Sequence, residues 1–360
     1  MLIGLFGTGR NGSSLIGRLL DGLQDTYVHP VEEKFLTAFD DIAGHGRVTR
    51  LVEQNCTTRR LTKLDERLSR EQFASYYQLS LDAIMKHCAE TVGLPGEVQE
   101  LSLDKVVPGQ ACSVATFTRE YLAGLAALIR PDVVFRHHLF KSIEVPYIAE
   151  YEHVFPEMKF IHIVRDPVAV CSSQKRSLME NKGLPACYLG FDWLTCMLDK
   201  RWVPHARFIA GRREDPRHIV VRYEDLVKAP SEEIGRVAAW LDLAPPPRPM
   251  DQTVFHDLDK SKWGYNPSKK GVESPTKVVA DLQQKNRYDE VLTSREIDLI
   301  AVKTRNWLSG LGYESKSDAT LGEVVAKYFT LDKWELMHCN TPRYLMRGLI
   351  GLVHRRVNLF

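Results

Sequence analysis

A glycine-rich run close to the N-terminus, Gly7-Thr-Gly-Arg-Asn-Gly-Ser-Ser14, is the stretch best suited to hold an anion. Glycines let backbone N–H groups approach an anion closely, and a helix that begins after the run adds the positive end of its dipole. The spacing is that of a P-loop, but Ser13 stands where the Walker A lysine would be. Because that lysine contacts the β- and γ-phosphates of a nucleoside triphosphate, its absence argues against a kinase or ATPase. We expect the run to hold one phosphate-like group beside the charge of Arg10.

Other side chains suited to proton transfer or anion binding follow at three places. Glu32 and Glu33 are adjacent carboxylates, and a carboxylate at a strand end can act as a general base. Lys141 stands at the C-terminal end of an apolar run. Arg165 ends another such run, and Ser173 lies eight residues later, about two turns into a predicted helix. Arg165 and Ser173 are therefore predicted to face one anion together.

Short apolar runs predict the strands that would position these side chains. Buried parallel strands consist of nearly continuous apolar sequence, and such runs occupy residues 2–6, 133–140, 160–164 and 218–222. Helical patterns lie between and after these runs, including one helix from Gly190 to about Ile209 and one that starts at the capping box Thr293-Ser-Arg-Glu296. This alternation predicts an α/β protein: a P-loop-like three-layer fold with a central parallel sheet flanked by helices, plus a helical insertion. Ligands of such sheets bind at the carboxyl ends of the strands. Residues 21–31 are interpreted as a short link that delivers the two glutamates.

The chain is predicted to form one large domain and an extension. The domain spans residues 1–314 and contains a helical insertion at about residues 40–130, in which the capping box Ser69-Arg-Glu-Gln72 starts a helix. Residues 315–360 form a basic amphipathic C-terminal extension, whose last 20 residues carry four arginines and no acid. Such a tail suits either docking on the parent domain or contact with an anionic membrane surface.

Composition argues against several classes of protein. A formal net charge of +2 does not mark a nucleic-acid-binding protein. The seven cysteines are scattered without a CxxC pair, which suits reduced thiols in a cytosol better than a disulfide framework or a zinc site. No apolar run approaches the roughly 20 residues of a membrane span. We expect a cytoplasmic protein that binds no metal. If it associates peripherally with a membrane, the expected contact is the C-terminal tail. The sequence leaves the oligomeric state open.

Four segments, in order and at the usual separations, resemble the PAPS-dependent sulfotransferase family, in which PAPS is 3′-phosphoadenosine 5′-phosphosulfate. Gly9-Arg-Asn-Gly-Ser-Ser-Leu15 resembles the family's 5′-phosphosulfate loop, and Lys141-Ser142 resembles its catalytic-lysine strand end. Phe155-Pro-Glu-Met-Lys-Phe-Ile-His-Ile-Val-Arg-Asp-Pro167, with Ser173, resembles its 3′-phosphate motif. Arg222-Tyr-Glu-Asp-Leu226 resembles a segment whose tyrosine lies near the bound nucleotide.

The resemblance covers about residues 1–38 and 131–314 and implies a PAPS site without a metal. It assigns the 5′-phosphosulfate to the loop residues Arg10, Asn11, Gly12, Ser13, Ser14 and Leu15. It assigns the 3′-phosphate and the nucleotide to a second set, Arg165, Ser173, Arg176 and Tyr223. By analogy with the family's basic glycine loop, Lys270 and Gly271 are expected to close over the nucleotide.

The resemblance also implies the roles of the catalytic residues. Glu33 is the first choice for the base that accepts the acceptor's proton, and Glu32 is the alternative, because the longer link leaves their register open. Lys141 is expected to stabilise charge on the bridging oxygen of the leaving group. Lys141 is followed by Ser-Ile-Glu144 without a histidine, which places the chain closer to the family's glutamate-base branch than to its cytosolic histidine-base branch.

The acceptor is expected to be a hydroxyl on a carbohydrate or a lipid-linked glycan, partly because of the amphipathic tail. A phenolic metabolite or a protein tyrosine is the alternative acceptor. Two other functions stay open from the residues alone. A P-loop nucleoside kinase or NTPase would need the missing loop lysine, and a catalytically silent nucleotide-binding scaffold would bind PAPS without turnover.

Overall fold

A computed structural model describes residues 1–21, 23–43, 61, 63–69, 71–72, 112–129, 133–182, 189–244 and 288–328. Its centre is a parallel sheet of five strands in the order β2-β3-β1-β4-β5. The strands are β1 (Leu2–Phe6), β2 (Thr26–Glu32), β3 (His137–Ser142), β4 (Lys159–Val164) and β5 (His218–Arg222). The predicted parallel α/β fold is thereby confirmed.

Helices connect the strands and cover both faces of the sheet. In the described residues the α-helices are α1 (Ser13–Leu20), α2 (Phe35–Ala43), α3 (Val114–Ile129), α4 (Ile148–Val154), α5 (Pro167–Lys182), α6 (Phe191–Met197), α7 (Val203–Ala210), α8 (Tyr223–Lys228), α9 (Pro230–Trp240), α10 (Ser294–Leu308) and α11 (Leu321–Tyr328). A π-helical turn, Leu198–Trp202, joins α6 to α7. Three 3₁₀ turns lie at Val145–Tyr147, Tyr288–Glu290 and Ser309–Leu311.

Alternate residues of β1 point into hydrophobic clusters on opposite faces of the sheet, as the pleat of a strand requires. Ile3 and Leu5 pack with apolar residues of α1, α8 and α9 on one face, here called the α1 face. Leu2 and Phe6 pack with α2, α3 and α4 on the other face. A third cluster joins α5, α6, α7, α10 and α11. This arrangement gives the three layers that the sequence predicted.

The interpretation of residues 21–31 as a link was wrong, because most of that stretch forms β2. It lies at the edge of the sheet and pairs in parallel with β3. Pro30 accounts for the error, since a proline within an apolar run argues against a central strand and is tolerated at edges and bulges. The pairing shifts between Val28 and Glu32, which marks a bulge.

Two other predicted boundaries needed correction. The strand expected at residues 133–140 begins only at His137, and Val134 before it is 83% exposed. The segment expected as one helix from Gly190 to about Ile209 is interrupted by the π-helical turn. Such turns inside α-helices are frequent at functional sites.

The described part of the C-terminal region packs on the domain. The predicted capping box of α10 is present, with Thr293 and Glu296 bonding each other's backbone N–H groups. Val324 of α11 is buried in the cluster around α10. Most of the predicted helical insertion, Lys270, Gly271 and residues 329–360 lie outside the described residues. No helix among the described residues is long and apolar enough to span a bilayer.

Candidate active site

The glycine-rich run forms a tight loop between β1 and α1. Three of its residues have a positive φ, with values of 78° at Gly9, 55° at Arg10 and 95° at Gly12, so the backbone is left-handed at each of them. The buried Asn11 side chain donates from Nδ2 to the carbonyl oxygen of Ile163 at 2.7 Å, which ties the loop to β4. Its Oδ1 accepts from the Ser13 N–H at 3.4 Å. Asn11 therefore shapes the loop.

Gly12 is required by a close approach as well as by its φ angle. A Cβ at this position would collide with the ring of Tyr223, which is buried. The Arg165 guanidinium lies on the same ring, 4.2 Å from its centroid. Burial raises the pKa of Tyr223, so its hydroxyl keeps its proton at neutral pH. Loop, tyrosine and arginine form one packed unit.

Two arginines and a serine meet beside this unit. Arg165 donates from Nη1 to the carbonyl oxygen of Arg10 at 3.0 Å, and Arg10 donates from Nε to Ser173 Oγ at 3.4 Å. Burial and the nearby positive charge of Arg165 lower the pKa of Arg10. Two like charges held together are stabilised by an anion between or beside them. The predicted partners Arg165 and Ser173 are thus brought together, and Arg10 joins them.

Hydrogen bonds from three elements hold Arg165 in place. The indole Nε1 of Trp202 donates to the Arg165 carbonyl at 3.1 Å. Asp166 starts α5 by accepting from the Val168 N–H at 2.8 Å, and its own N–H donates to Glu224 Oε1 at 3.1 Å. Because these bonds fix the backbone on both sides, the arginine leaves β4 in a defined direction.

Lys141 and Ser14 lie on the opposite side of β1 from Arg165. Lys141 at the end of β3 donates from Nζ to Ser14 Oγ at 3.2 Å. Lys141 pairs with Leu5 of β1, whose side chain belongs to the α1 face. Neighbouring side chains in a parallel register point to the same face. The lysine is therefore directed over the first turn of α1, where an anion bound by the loop would lie.

The two glutamates have different environments. Glu32 is exposed and pairs in register with Lys141, so its side chain points to the α1 face. Glu33 is buried, and its Oε1 lies 2.8 Å from His29 Nε2 and 3.4 Å from the Tyr121 hydroxyl. Its N–H donates to the Lys141 carbonyl at 2.9 Å. Adjacent carboxylates therefore face opposite sides of the strand end.

Other predicted site residues have mixed positions. Ser13 is buried at the start of α1, and Leu15 belongs to the hydrophobic cluster of the α1 face. Arg176 lies 3.7 Å from a carboxylate oxygen of Glu290. Its guanidinium therefore forms an ion pair near the 3₁₀ turn.

Sequence reasoning missed a further cation beside the loop. Arg201 of the π-helical turn reaches across the strand ends, and its Nη1 would lie 3.9 Å from a Cβ placed on Gly9. No motif in the sequence marks Arg201, because its position depends on the extra residue of a π-helical turn. The next residue, Trp202, contacts the Arg165 carbonyl. The π-helical turn therefore contributes one residue near the loop and one that holds the backbone of Arg165.

These features define a P-loop-like transferase, with a glycine loop between two sets of cationic and hydroxyl groups. The model of the sulfotransferase family matches residues 3–247, and the chain belongs to that family. This match confirms the predicted class of activity, sulfotransfer. No curated protein sequence matches the chain significantly.

Solved structures with a similar fold are also sulfotransferases. The sulfotransferase domain from the curacin biosynthetic pathway has a TM-score of 0.50 at 19% identity, over 87% of this chain and 97% of that chain. The sulfotransferase domain of the Synechococcus PCC 7002 olefin synthase has a TM-score of 0.49 at 17% identity, over 87% and 95%. Sulfotransferase STF9 from Mycobacterium avium has a TM-score of 0.42 at 15% identity, over 88% and 78%. The first likeness supports the fold.

Proposed function

We propose that the chain transfers a sulfuryl group from PAPS to an acceptor hydroxyl by in-line displacement. The observation that carries this proposal is the pair of anion-binding sets on the two sides of β1. Ser14 and Lys141 suit the 5′-phosphosulfate, whereas Arg10, Arg165 and Ser173 suit the 3′-phosphate. A second phosphate site beside a loop without the Walker lysine favours PAPS over a nucleoside triphosphate.

Glu32 is proposed as the base, in preference to the first expectation, Glu33. The exposed Glu32 carboxylate points to the same face as Lys141, whereas Glu33 is buried against His29 and Tyr121. Glu32 takes the proton of the acceptor hydroxyl as its oxygen attacks sulfur. The bond from sulfur to the bridging phosphate oxygen breaks, and 3′,5′-adenosine bisphosphate leaves. Lys141 stabilises the negative charge that develops on that oxygen.

The acceptor is proposed to carry its hydroxyl on a carbohydrate or a lipid-linked glycan. If Arg165 after β4 binds the 3′-phosphate, as proposed, the acceptor approaches from the other side of β1, where β3 and β2 carry Lys141 and Glu32. A screen with radiolabelled PAPS should test glycans first, with phenolic metabolites and tyrosine peptides as the other arms. Turnover of a phenol or a tyrosine peptide, with no turnover of any glycan, would refute the acceptor proposal and leave the donor proposal intact.

The donor proposal is tested by calorimetric binding of 3′,5′-adenosine bisphosphate and ATP, each with and without Mg²⁺. We expect tighter binding of the bisphosphate without a Mg²⁺ requirement. Tighter, Mg²⁺-dependent binding of ATP would contradict the proposal and favour an NTPase.

The catalytic roles are tested with Glu32→Gln and Lys141→Ala on an acceptor found in the screen. Loss of a general base lowers kcat by about 10²–10⁴-fold, so Glu32→Gln should show a loss of that size with an unchanged Kd for 3′,5′-adenosine bisphosphate. Lys141→Ala should also lower kcat. Near-normal turnover of Glu32→Gln would reject Glu32 as the base.

A further inference from the structure

The edge strand β2 has an irregularity immediately before Glu32. Val28 pairs with Leu139 of β3, but Glu32 pairs with Lys141. Between these two pairs β2 advances by four residues, whereas β3 advances by only two. Bulges of this kind occur next to active sites, where they redirect a side chain. A shift of a single residue would turn Glu32 to the opposite face of the sheet.

A buried hydrogen bond spans this bulge. His29 lies at its start and Glu33 directly after its end, with 2.8 Å between His29 Nε2 and Glu33 Oε1. The two side chains are 0% and 6% exposed. Tyr27 places its hydroxyl 3.3 Å from His29 Nδ1, and the Tyr121 hydroxyl of α3 donates to the same Glu33 oxygen at 3.4 Å. In the tautomer that carries its proton on Nε2, the His29 ring donates to Glu33 Oε1 and accepts at Nδ1 from the Tyr27 hydroxyl.

We propose that the His29–Glu33 pair is a positioning device that clamps the β2 bulge and so presents Glu32 to Lys141 and the acceptor. Glu33 is then a positioning residue and not the base. This inference rests on the proposed role of Glu32.

The alternation of side chains along a strand supports this proposal. Successive residues of an extended chain point to opposite faces. Fixing Glu33 among buried rings on the α2 and α3 side therefore fixes Glu32 on the α1 face. The Glu33 N–H also bonds the Lys141 carbonyl. The same residue thus sets both the face and the register of its neighbour.

Burial of Glu33 also argues against its acting as the base. Oε1 of this carboxylate is shared between the His29 ring and the Tyr121 hydroxyl in a buried site. An acceptor hydroxyl would have to displace these partners and leave a buried donor without its acceptor, which is unfavourable. The exposed Glu32 needs no such displacement.

The test compares Glu33→Gln, Glu33→Ala and Glu32→Gln in the full chain. Glutamine cannot serve as a base, but its amide oxygen still accepts from His29 and Tyr121. We therefore expect Glu33→Gln to keep kcat within about fivefold of the parent, whereas Glu32→Gln loses about 10²-fold or more. Glu33→Ala removes the clamp and should lower kcat about 10–100-fold, as misplaced catalytic groups do. None of the three should change the Kd for 3′,5′-adenosine bisphosphate, because the donor is held by the loop and β4.

Each result has one meaning. Loss of turnover in Glu33→Gln as large as in Glu33→Ala would overturn the inference and make Glu33 the base. Normal turnover in Glu33→Ala would also overturn it, since the bulge would then need no clamp. Near-normal turnover of Glu32→Gln refutes the base assignment, whereas loss of bisphosphate binding in the parent protein would refute the donor. If Glu33→Ala does not fold, His29→Phe replaces it, because it keeps an aromatic ring and removes the bond to Glu33. We expect a fall in kcat with the donor Kd unchanged, and unchanged kcat in His29→Phe would overturn the clamp.

Discussion

Replacing Arg165 with methionine should distinguish ligands with a 3′-phosphate from ligands without one. The guanidinium lies 4.2 Å from the ring centroid of Tyr223 and donates to the Arg10 carbonyl at 3.0 Å. Methionine keeps an apolar side chain against the ring and removes the charge and every donor. The ligands to compare are 3′,5′-adenosine bisphosphate and 5′-AMP, which differ only in that phosphate.

The expected loss follows from the bonds that Arg165 can make. A hydrogen bond to a charged group contributes about 1.5–3 kcal/mol, so the bisphosphate should bind about 10- to 150-fold more weakly. For 5′-AMP the loss is limited to the bond with the Arg10 carbonyl, which supports the loop. This bond joins a charged donor to a neutral carbonyl and acts on 5′-AMP only through the loop, so we expect a loss of at most about 1 kcal/mol, which corresponds to about fivefold in Kd.

Titration calorimetry at about 0.15 M ionic strength measures both ligands on both proteins. Arg222→Met is the matched control, because Arg222 ends the neighbouring strand β5 and lies 4.7 Å from the ring centroid of Tyr313. It should affect the two ligands equally. If Arg165→Met weakens both ligands by the same factor, within about 0.5 kcal/mol, the 3′-phosphate role of Arg165 is refuted.

Two further substitutions test a missed cation and a buried ion pair. Arg201→Gln should weaken bisphosphate binding about fivefold, since a charge about 5 Å from an anion contributes about 1 kcal/mol in a hydrated site. Arg207→Gln, which lies six residues further along the chain, should change it less than about twofold. Equal effects of the two substitutions in calorimetry would exclude a role for Arg201. Lys175→Met leaves the buried Glu296 without its partner at 2.6 Å, so the free energy of unfolding should fall by about 3–5 kcal/mol. Lys303→Met breaks a more exposed ion pair, so it should change the free energy of unfolding by less than about 1 kcal/mol in denaturant titrations. Similar losses from Lys175→Met and Lys303→Met would contradict the expectation that burial sets the contribution of an ion pair to stability.

Strands β1, β4 and β5 could be predicted from the sequence because both of their faces are covered. β1 and β5 begin and end at the predicted residues, and β4 differs by one residue. Each is a run of apolar residues that no helix pattern fits. The glycine loop was predictable for a related reason, since its spacing reflects the backbone geometry that Gly12 must adopt.

The edge strand β2 was not predictable in the same way. β2 contains Pro30 and a bulge, and neither its pairing partner nor its register is encoded by a local pattern. For that reason the sequence could not decide which of Glu32 and Glu33 faces Lys141. The position of Arg201 was also hidden, because one extra residue in a helical turn redirects every side chain that follows.

Together with the proposed residue roles, the order of the strands predicts that donor recognition and transfer chemistry can be separated. β1 is central in the sheet, and the proposal makes its loop the part of the site that both functions share. β3 and β2 on one side supply Lys141 and Glu32, whereas β4 on the other side supplies Arg165. Substitutions on the β2 side should therefore alter kcat at constant nucleotide affinity, and substitutions on the β4 side should alter affinity first. Only changes in the loop itself, such as at Gly12, should disturb both, because Tyr223 and α1 meet there.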